Sequence, residues 1–292
     1  MKLLTDRRAI ARLTALAALL VLGWWLRTLQ PHNLTAAVAW PWSSTTLTLY
    51  YADGPYLFPL SRRVPSGTDL PRAAIEGLLA GPPAGSPLAS ALPPGLALQA
   101  LDVVGRVAHV QLSGSEALRS APLAVPAIVA TLTGVPGVGE VALTMDGIPR
   151  TDPSTRAPLL YYPSARGLVA VPTAAADPRA ALDAFLAGPP SPELTRLPPD
   201  ARLLGAAFDA AEGVLALRFA YMPSVRMLAL ERPDQMRFLL LGLIATLTGY
   251  PEVRAVQLDF GGQSRLGLGE CSDLLRTPQP RPALLNDERL IR

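Results

Sequence analysis

Thr-Leu-Thr-Gly-Val-Pro, residues 131–136, recurs as Thr-Leu-Thr-Gly-Tyr-Pro at residues 246–251, and this recurrence decides the fold. Four ordered matches at nearly one spacing indicate an internal duplication. The other three motifs are displaced by 105 to 111 residues: Leu-Tyr-Tyr at 49–51 and 160–162, Leu-Ala-Gly-Pro-Pro at 79–83 and 186–190, and Leu-Pro-Pro at 92–94 and 197–199.

The same elements are predicted in both copies. Alternating apolar residues predict a hairpin before and after a first helix. In the second copy Asp177 is a good N-cap with Pro178 at the first helical position. Gly81 and Gly188, each followed by proline, end these helices. The predicted order is β-β-α-β-β-α-β, with hairpins at 46–64, 96–112, 158–172 and 202–219 and final strands at 138–145 and 253–260.

A longer helix is expected in each copy before the final strand. Its apolar residues have the spacing of an amphipathic helix packed on a sheet. Helices on one face of a small, mostly antiparallel sheet bury such stripes economically, so we predict an α+β fold of two repeated modules. The stripe consists of Met236, Leu239, Leu240, Leu243, Ile244 and Leu247 in the second copy, and of Val125, Ile128, Val129 and Leu132 in the first.

The repeated motifs resemble those of the GerMN domain. They are the tyrosine-containing first strand, the Leu-x-Gly-Pro helix end, the Leu-Pro-Pro segment, and the Thr-Leu-Thr-x-x-Pro-x-Val element before a last strand. The resemblance covers about residues 46–147 and 157–262. It implies a role in sporulation or spore germination. GerMN modules are also similar to the ring-forming domains of sporulation and secretion assemblies, which implies association between modules.

The positive charge of the chain lies in its first residues. The formal net charge is +3, but the first 30 residues alone carry +4. A nucleic-acid-binding protein would carry excess Lys and Arg on its folded part, so we expect no nucleic-acid partner. The charges of this segment are Lys2, Arg7, Arg8, Arg12 and Arg27 against Asp6.

An uncharged apolar run at residues 13–26 follows this basic stretch. Basic residues stay on the cytoplasmic side, so the rest of the chain is expected outside the membrane. If Arg12 and Arg27 snorkel to the two interfaces, residues 10–29 are long enough to span a bilayer. We therefore expect a single-pass anchor in the cell membrane, with the N-terminus inside. The alternative is a signal peptide cleaved after Ala-Val-Ala at 37–39, and a secreted protein.

No residue pattern predicts catalysis or metal binding. His32 lies in the expected stalk, His109 on the polar face of a strand, and Cys271 in the tail without a nearby histidine. The sequence contains no phosphate loop, no G-x-S-x-G turn and no Cys or His cluster with metal spacing. We predict a non-enzymatic protein without catalytic residues, cofactor or metal.

Two pairs of tyrosines are the candidates for a binding platform. These are Tyr50 with Tyr51 and Tyr161 with Tyr162. Alternate residues of a strand face opposite sides, so one tyrosine of each pair is expected in the core. Packing is therefore the simpler interpretation.

The predicted division has five parts. They are a cytoplasmic tip with the anchor or signal segment at 1–30, a stalk at 31–45, the first module at 46–147, the second at 157–262 and a tail at 263–292. Thr-Pro-Gln-Pro-Arg-Pro at 277–282 favours extended structure without a core of its own. The tail is either a strand that docks on a partner or a disordered end.

Three functions compete. The leading hypothesis is a structural or interaction protein of the cell envelope in sporulation or germination, which associates with envelope proteins or with itself through sheet edges. The alternative is a module that binds peptidoglycan or a small ligand in a cleft between the copies. An enzyme that degrades spore cortex is the third, and it lacks an acid and base pair.

Overall fold

The structure contains the predicted element order in both copies, with one additional helix in the second. It is a computed structural model that describes residues 44–114, 121–151, 158–261 and 268–290. The first copy consists of β1 (Ser44–Asp53), β2 (Tyr56–Pro65), α1 (Leu70–Ala80), β3 (Ala97–Val104), β4 (Val107–Ser113), α2 (Ala124–Thr133), β5 (Glu140–Met145) and β6 (Ile148–Pro149). The second consists of β7 (Leu159–Pro163), β8 (Leu168–Pro172), α3 (Pro178–Ala187), β9 (Leu203–Asp209), β10 (Val214–Phe219), α4 (Pro223–Glu231), α5 (Pro233–Leu247) and β11 (Ala255–Phe260). The C-terminal segment adds a 3-10 turn (Gly269–Cys271), α6 (Asp273–Arg276), β12 (Gln279–Pro280) and a second 3-10 turn (Glu288–Leu290).

The first hairpins of the two copies form one central sheet, in the order β1-β2-β8-β7. All three pairings are antiparallel, and Leu57 of β2 lies opposite Ala170 of β8 at the junction between copies. The two copies therefore share a sheet and belong to one compact unit.

The remaining strands form two outer sheets, in the orders β3-β4-β5-β6 and β12-β11-β10-β9. In each outer sheet the hairpin is antiparallel, whereas the final strand runs parallel to its neighbour, β5 to β4 and β11 to β10. Most strand pairings are antiparallel, as predicted, but the prediction of one sheet in each module is wrong, because the first hairpins form a separate sheet that both copies share. The final strands are parallel to their neighbours because a helix between two neighbouring strands returns the chain to the same end of the sheet.

Both faces of the central sheet are buried. Tyr51 donates a hydrogen bond to the Gly77 carbonyl of α1 (3.1 Å), and Tyr162 reaches the last turn of α3. Tyr50 and Tyr161 lie in a separate core cluster on the other face. All four tyrosines are at most 2% exposed. All four rings are therefore packed in the core, and Tyr50 and Tyr161 also contribute to the lining of a cleft.

The repeated threonine motif covers the two edges of the central sheet. The Thr131 hydroxyl of α2 accepts a hydrogen bond from the backbone N–H of Tyr50 in β1 (3.2 Å). The Thr246 hydroxyl of α5 does the same for Tyr161 in β7 (3.0 Å). Since β1 and β7 are the outer strands, each long helix lies against one sheet edge.

The first helices end at the predicted glycines, and α3 begins after the predicted cap Asp177. The carboxylates of Asp69 and Asp177 accept hydrogen bonds from backbone N–H groups in the first turns of α1 and α3. Gly81 and Gly188 follow these helices with φ of 81° and 103°, which favours glycine.

The additional helix, α4, was not predicted. Pro223 occupies its first turn, and Pro233 begins the next helix. The spacing of Val225 and Ala229, which are buried, was the available signal.

The C-terminal segment packs against both copies. Asn286 is buried, and its side-chain amide donates to the carbonyls of Pro59 in β2 (2.7 Å) and Leu168 in β8 (2.8 Å). Its side-chain oxygen accepts from the Leu168 N–H (2.8 Å). Residues 268–290 are therefore part of the fold, which corrects both interpretations of the tail.

The predicted membrane segment at residues 10–29 and residues 31–43 of the predicted stalk, with His32, lie outside the described residues, whereas the last two residues of the predicted stalk belong to β1. Among the residues that are described, no helix combines the length and the apolar character needed to cross a membrane.

Candidate functional site

The residues considered for catalysis lie in different parts of the fold. Cys271 is fully buried in the C-terminal segment, and burial raises the pKa of its thiol to about 11. It is therefore protonated at neutral pH and unreactive. His109 is exposed on β4, opposite Asp102 of β3. In the described ranges, no three His, Cys, Asp or Glu side chains are grouped so that they could hold a metal ion.

A cleft of about 820 Å³ lies where the repeated motifs of the two copies approach each other. The C-terminal end of α2 contributes Thr133 and Gly134, and that of α5 contributes Thr248 and Gly249. Apolar lining comes from Pro158 and from neighbouring residues of the second copy. The volume falls within the range of small-molecule sites.

The hydroxyls of Tyr50 and Tyr161 meet at the cleft, 2.6 Å apart. Their strands, β1 and β7, are separated by β2 and β8, so the two side chains reach toward each other across roughly 14 Å of sheet. Leu57 and Ala170 of the junction lie in the same core cluster. The tyrosine pair therefore marks the midline between the copies.

Tyr50 of this pair is neutral. Burial, and secondly the neighbouring Tyr161, holds the pKa of Tyr50 well above its ordinary value. A phenol in this environment keeps its proton at neutral pH and can donate or accept one hydrogen bond in the pair.

Arg281 of the C-terminal segment supplies charge at this position. Its Nη2 donates to the Tyr161 hydroxyl (2.9 Å), and its Nη1 donates to the Ala245 carbonyl in the last turn of α5 (3.0 Å). The guanidinium carbon lies 5.6 Å from the centre of the Tyr161 ring, within the range of a cation–π contact. Arg281 therefore joins the tyrosine pair to a helix C-terminus, where positive charge is favourable.

The cleft contains few other charges. Glu252 and Arg106 also line it, and both are exposed. Within the described part of the chain, Arg281 forms no ion pair with a carboxylate. A partly buried guanidinium with spare donors is a ready partner for a planar anion.

A second candidate surface consists of β3 and β9, the long edge strands of the outer sheets, whose opposite edges are the two-residue strands β6 and β12. Val103 and Val104 of β3 are 42% and 66% exposed, and Leu204 and Phe208 of β9 are 58% and 46% exposed. Unpaired backbone groups beside exposed apolar side chains form a surface that can pair with another chain.

Comparison with known proteins agrees with the duplicated fold. The model of the Germane family, described as sporulation and spore germination, matches residues 48–151 and 159–265. The chain belongs to the Germane family. Its solved structural relatives include the tandem GerMN domains of the sporulation protein GerM from Bacillus subtilis, with 18% identity and a TM-score of 0.59 over 84% of this chain and 99% of that one.

The first GerMN domain of the same Bacillus subtilis protein is also similar to this Germane chain. It has 21% identity and a TM-score of 0.31, and the match covers 38% of this chain and 90% of that one. A search of curated protein sequences gives no match. The tandem match shows a shared fold, and the predicted resemblance to GerMN domains is confirmed.

Sequence reasoning found the tyrosines of this Germane protein but not their meeting point. Two modules treated separately give no reason for Tyr50 and Tyr161 to touch, because the contact exists only in the shared sheet. Arg281 gave no signal either, since it stands between two prolines in a segment without periodicity.

Proposed function

We propose that this Germane protein is a non-enzymatic, membrane-anchored component of an extracytoplasmic assembly in sporulation or spore germination. The description of its family supports the biological setting. The observation that carries the mechanism is the pair of uncovered sheet edges, β3 and β9. Through them the protein would associate with other envelope proteins or with its own copies.

The two edges have equivalent geometry. Val103 lies opposite Ala108, and Phe208 lies opposite Leu215, so each points to the inner face of its sheet at the same position of the repeat. Both side chains are nevertheless exposed. Neither strand contains Lys, Arg or Pro, and the features that limit edge pairing are one aspartate and one register irregularity in each hairpin. A strand added at either edge would cover these side chains.

The central sheet is not available for the same contact. Its outer strands already lie against helices, whose Thr131 and Thr246 hydroxyls bind backbone N–H groups of the edges. Association through sheet edges is therefore expected at the outer sheets alone.

Membrane attachment and the lack of catalysis complete the proposal. The apolar run at 13–26 after a basic stretch supports an anchor with residues beyond Arg27 outside the membrane. The buried Cys271 thiol and the exposed position of His109 support a non-enzymatic role.

Thiol cross-linking of the full chain in its own membrane tests the assembly surface. Cys271 is the single native cysteine and is buried, so background reaction is low. The Val104→Cys/Leu204→Cys variant should give products larger than the monomer with a short bis-maleimide. Met227→Cys on α4, 50% exposed, is the matched control. Equal product from the control, or monomer alone from the edge variant, contradicts the proposal.

Gene deletion tests the biological setting. Loss of heat-resistant spores with normal vegetative growth is the expected result. Normal spore numbers would remove the sporulation role and leave a general envelope function.

The cleft supports a second function, the binding of a small envelope ligand or of a peptidoglycan fragment. The supporting observation is a cavity between the copies lined by aromatic, polar and apolar groups, as such sites usually are.

A further inference from the structure

The guanidinium of Arg281 is incompletely used by the protein. Two of its N–H groups bind the Tyr161 hydroxyl and the Ala245 carbonyl, and the guanidinium also interacts with the Tyr50 hydroxyl. An arginine has five N–H donors, and the described residues provide no carboxylate for the others. Because Arg281 lines the cleft, a ligand there can reach its remaining donors.

The two known contacts of Arg281 also fix its position. The guanidinium stacks near the ring of Tyr161 and is held by the end of α5. A held guanidinium loses little conformational freedom when it binds a ligand, and its planar fork matches the two oxygens of a carboxylate.

The other charges in the cleft select the kind of anion. The C-terminal ends of α2 and α5 line the cleft and carry partial negative charge, whereas the full charges of Glu252 and Arg106 are opposite in sign. The helix ends disfavour a doubly charged phosphate. A singly charged carboxylate with a neutral remainder suits one guanidinium in this setting.

The rest of the lining suits a peptide. Ala174, Ala175 and Ala176 with Pro158 and Pro251 give apolar surface, and Thr133 and Thr248 give hydroxyls. A cavity of about 820 Å³ has room for a few small residues.

We propose that the cleft binds a short peptide by its free C-terminal carboxylate, with Arg281 as the anion-binding residue and Tyr161 as the residue that positions it. This inference rests on the ligand-binding function proposed for the cleft and names its ligand class. The peptide ends of peptidoglycan stems have this chemistry.

A matched pair of probes tests the inference with the full-length protein in detergent. The probes are N-acetyl-D-alanyl-D-alanine and its C-terminal amide, which differ only in the carboxylate. Binding is measured by calorimetry and by shifts in the NMR spectrum. A hydrogen bond to a charged group contributes enough for about a tenfold difference in affinity, so the acid should bind at least that much more tightly.

Three variants test whether Arg281 causes the difference in affinity between the acid and the amide. Arg281→Met should lose the preference for the acid over the amide, and Arg281→Lys should keep part of it, because the charge remains but the fork is lost. Arg226→Met, at an exposed position on α4, should bind like the wild type. Thermal unfolding of each variant shows whether it is folded. If Arg281→Met is unfolded, Arg281→Lys still tests the role of the residue.

Each outcome has a distinct meaning. Tighter binding of the acid that depends on Arg281 supports the inference. Equal binding of acid and amide overturns the carboxylate contact but leaves a ligand-binding cleft. Binding of inorganic phosphate and of neither peptide overturns the peptide as ligand. No binding of any of the three overturns both the inference and the ligand-binding function.

Discussion

Asn286→Ala should destabilise the junction between the two copies more than any other single change in the C-terminal segment. The side chain makes three hydrogen bonds to backbone groups of β2 and β8, with distances of 2.7 to 2.8 Å. Asn286 is 6% exposed, so water has little access to its partners. In the variant, the Pro59 carbonyl and both the carbonyl and the N–H of Leu168 lose this hydrogen-bond partner.

The magnitude follows from these three groups. Each buried polar group left without a partner costs about 1–3 kcal/mol. Partial relaxation reduces the total, so we expect a loss of about 4 kcal/mol in the free energy of unfolding. For a unit of this size that corresponds to a fall in Tm of roughly 8–16 °C.

Urea unfolding of residues 44–292, followed by circular dichroism, measures this loss. Arg289→Ala is the control, because it removes an exposed ion pair with Asp287 in the same segment. Exposed pairs contribute about 0–1 kcal/mol, so the control should unfold almost like the wild type. A loss under about 1 kcal/mol for Asn286→Ala would refute the view that this residue holds β2 and β8 together.

Further changes test other contacts of the same unit. Thr246→Val keeps the shape of the side chain but leaves the Tyr161 N–H without its acceptor, and urea unfolding should show a loss of about 1–2 kcal/mol. Gly167→Ala should destabilise the protein, since φ is 143° and a Cβ would meet the Asn286 side chain; in a double-mutant cycle, Asn286→Ala should relieve part of that loss. Burial raises the pKa of Tyr51 to about 12, so an absorbance titration should find it protonated in the folded protein above pH 10, where unfolded tyrosine ionises. The unfolded state then releases the proton first, and the free energy of unfolding should fall as pH rises from 10 towards 12.

Local signals in the sequence predicted the elements well. Asp177 and Gly188 mark the start and end of α3 because capping depends on a few neighbouring residues. The apolar spacing of residues 236–247 predicted α5 for the same reason. Both signals act within one or two turns of the chain, which is the range that sequence patterns report.

The arrangement of sheets could not be predicted in the same way. The sequence of a strand such as β2 does not indicate which strand will pair with its second edge. Its pairing with β8 depends on contacts between residues more than 100 positions apart. The prediction for the tail was wrong for a related reason. The sequence around Asn286 has no periodicity, and the three backbone groups that it binds exist together only after the two copies have joined.

The candidate site arises from the duplication together with the C-terminal segment, which is not duplicated. Joining two equal hairpins edge to edge brings Tyr50 and Tyr161 to the midline, where their hydroxyls are equivalent in position. The C-terminal segment occurs once, so a single guanidinium, that of Arg281, lies beside the pair, where it donates to the Tyr161 hydroxyl and also interacts with Tyr50. A symmetrical cavity thereby gains charge on one side. A ligand with distinct ends can bind such a cavity in one orientation, whereas two equal halves would accept it in two.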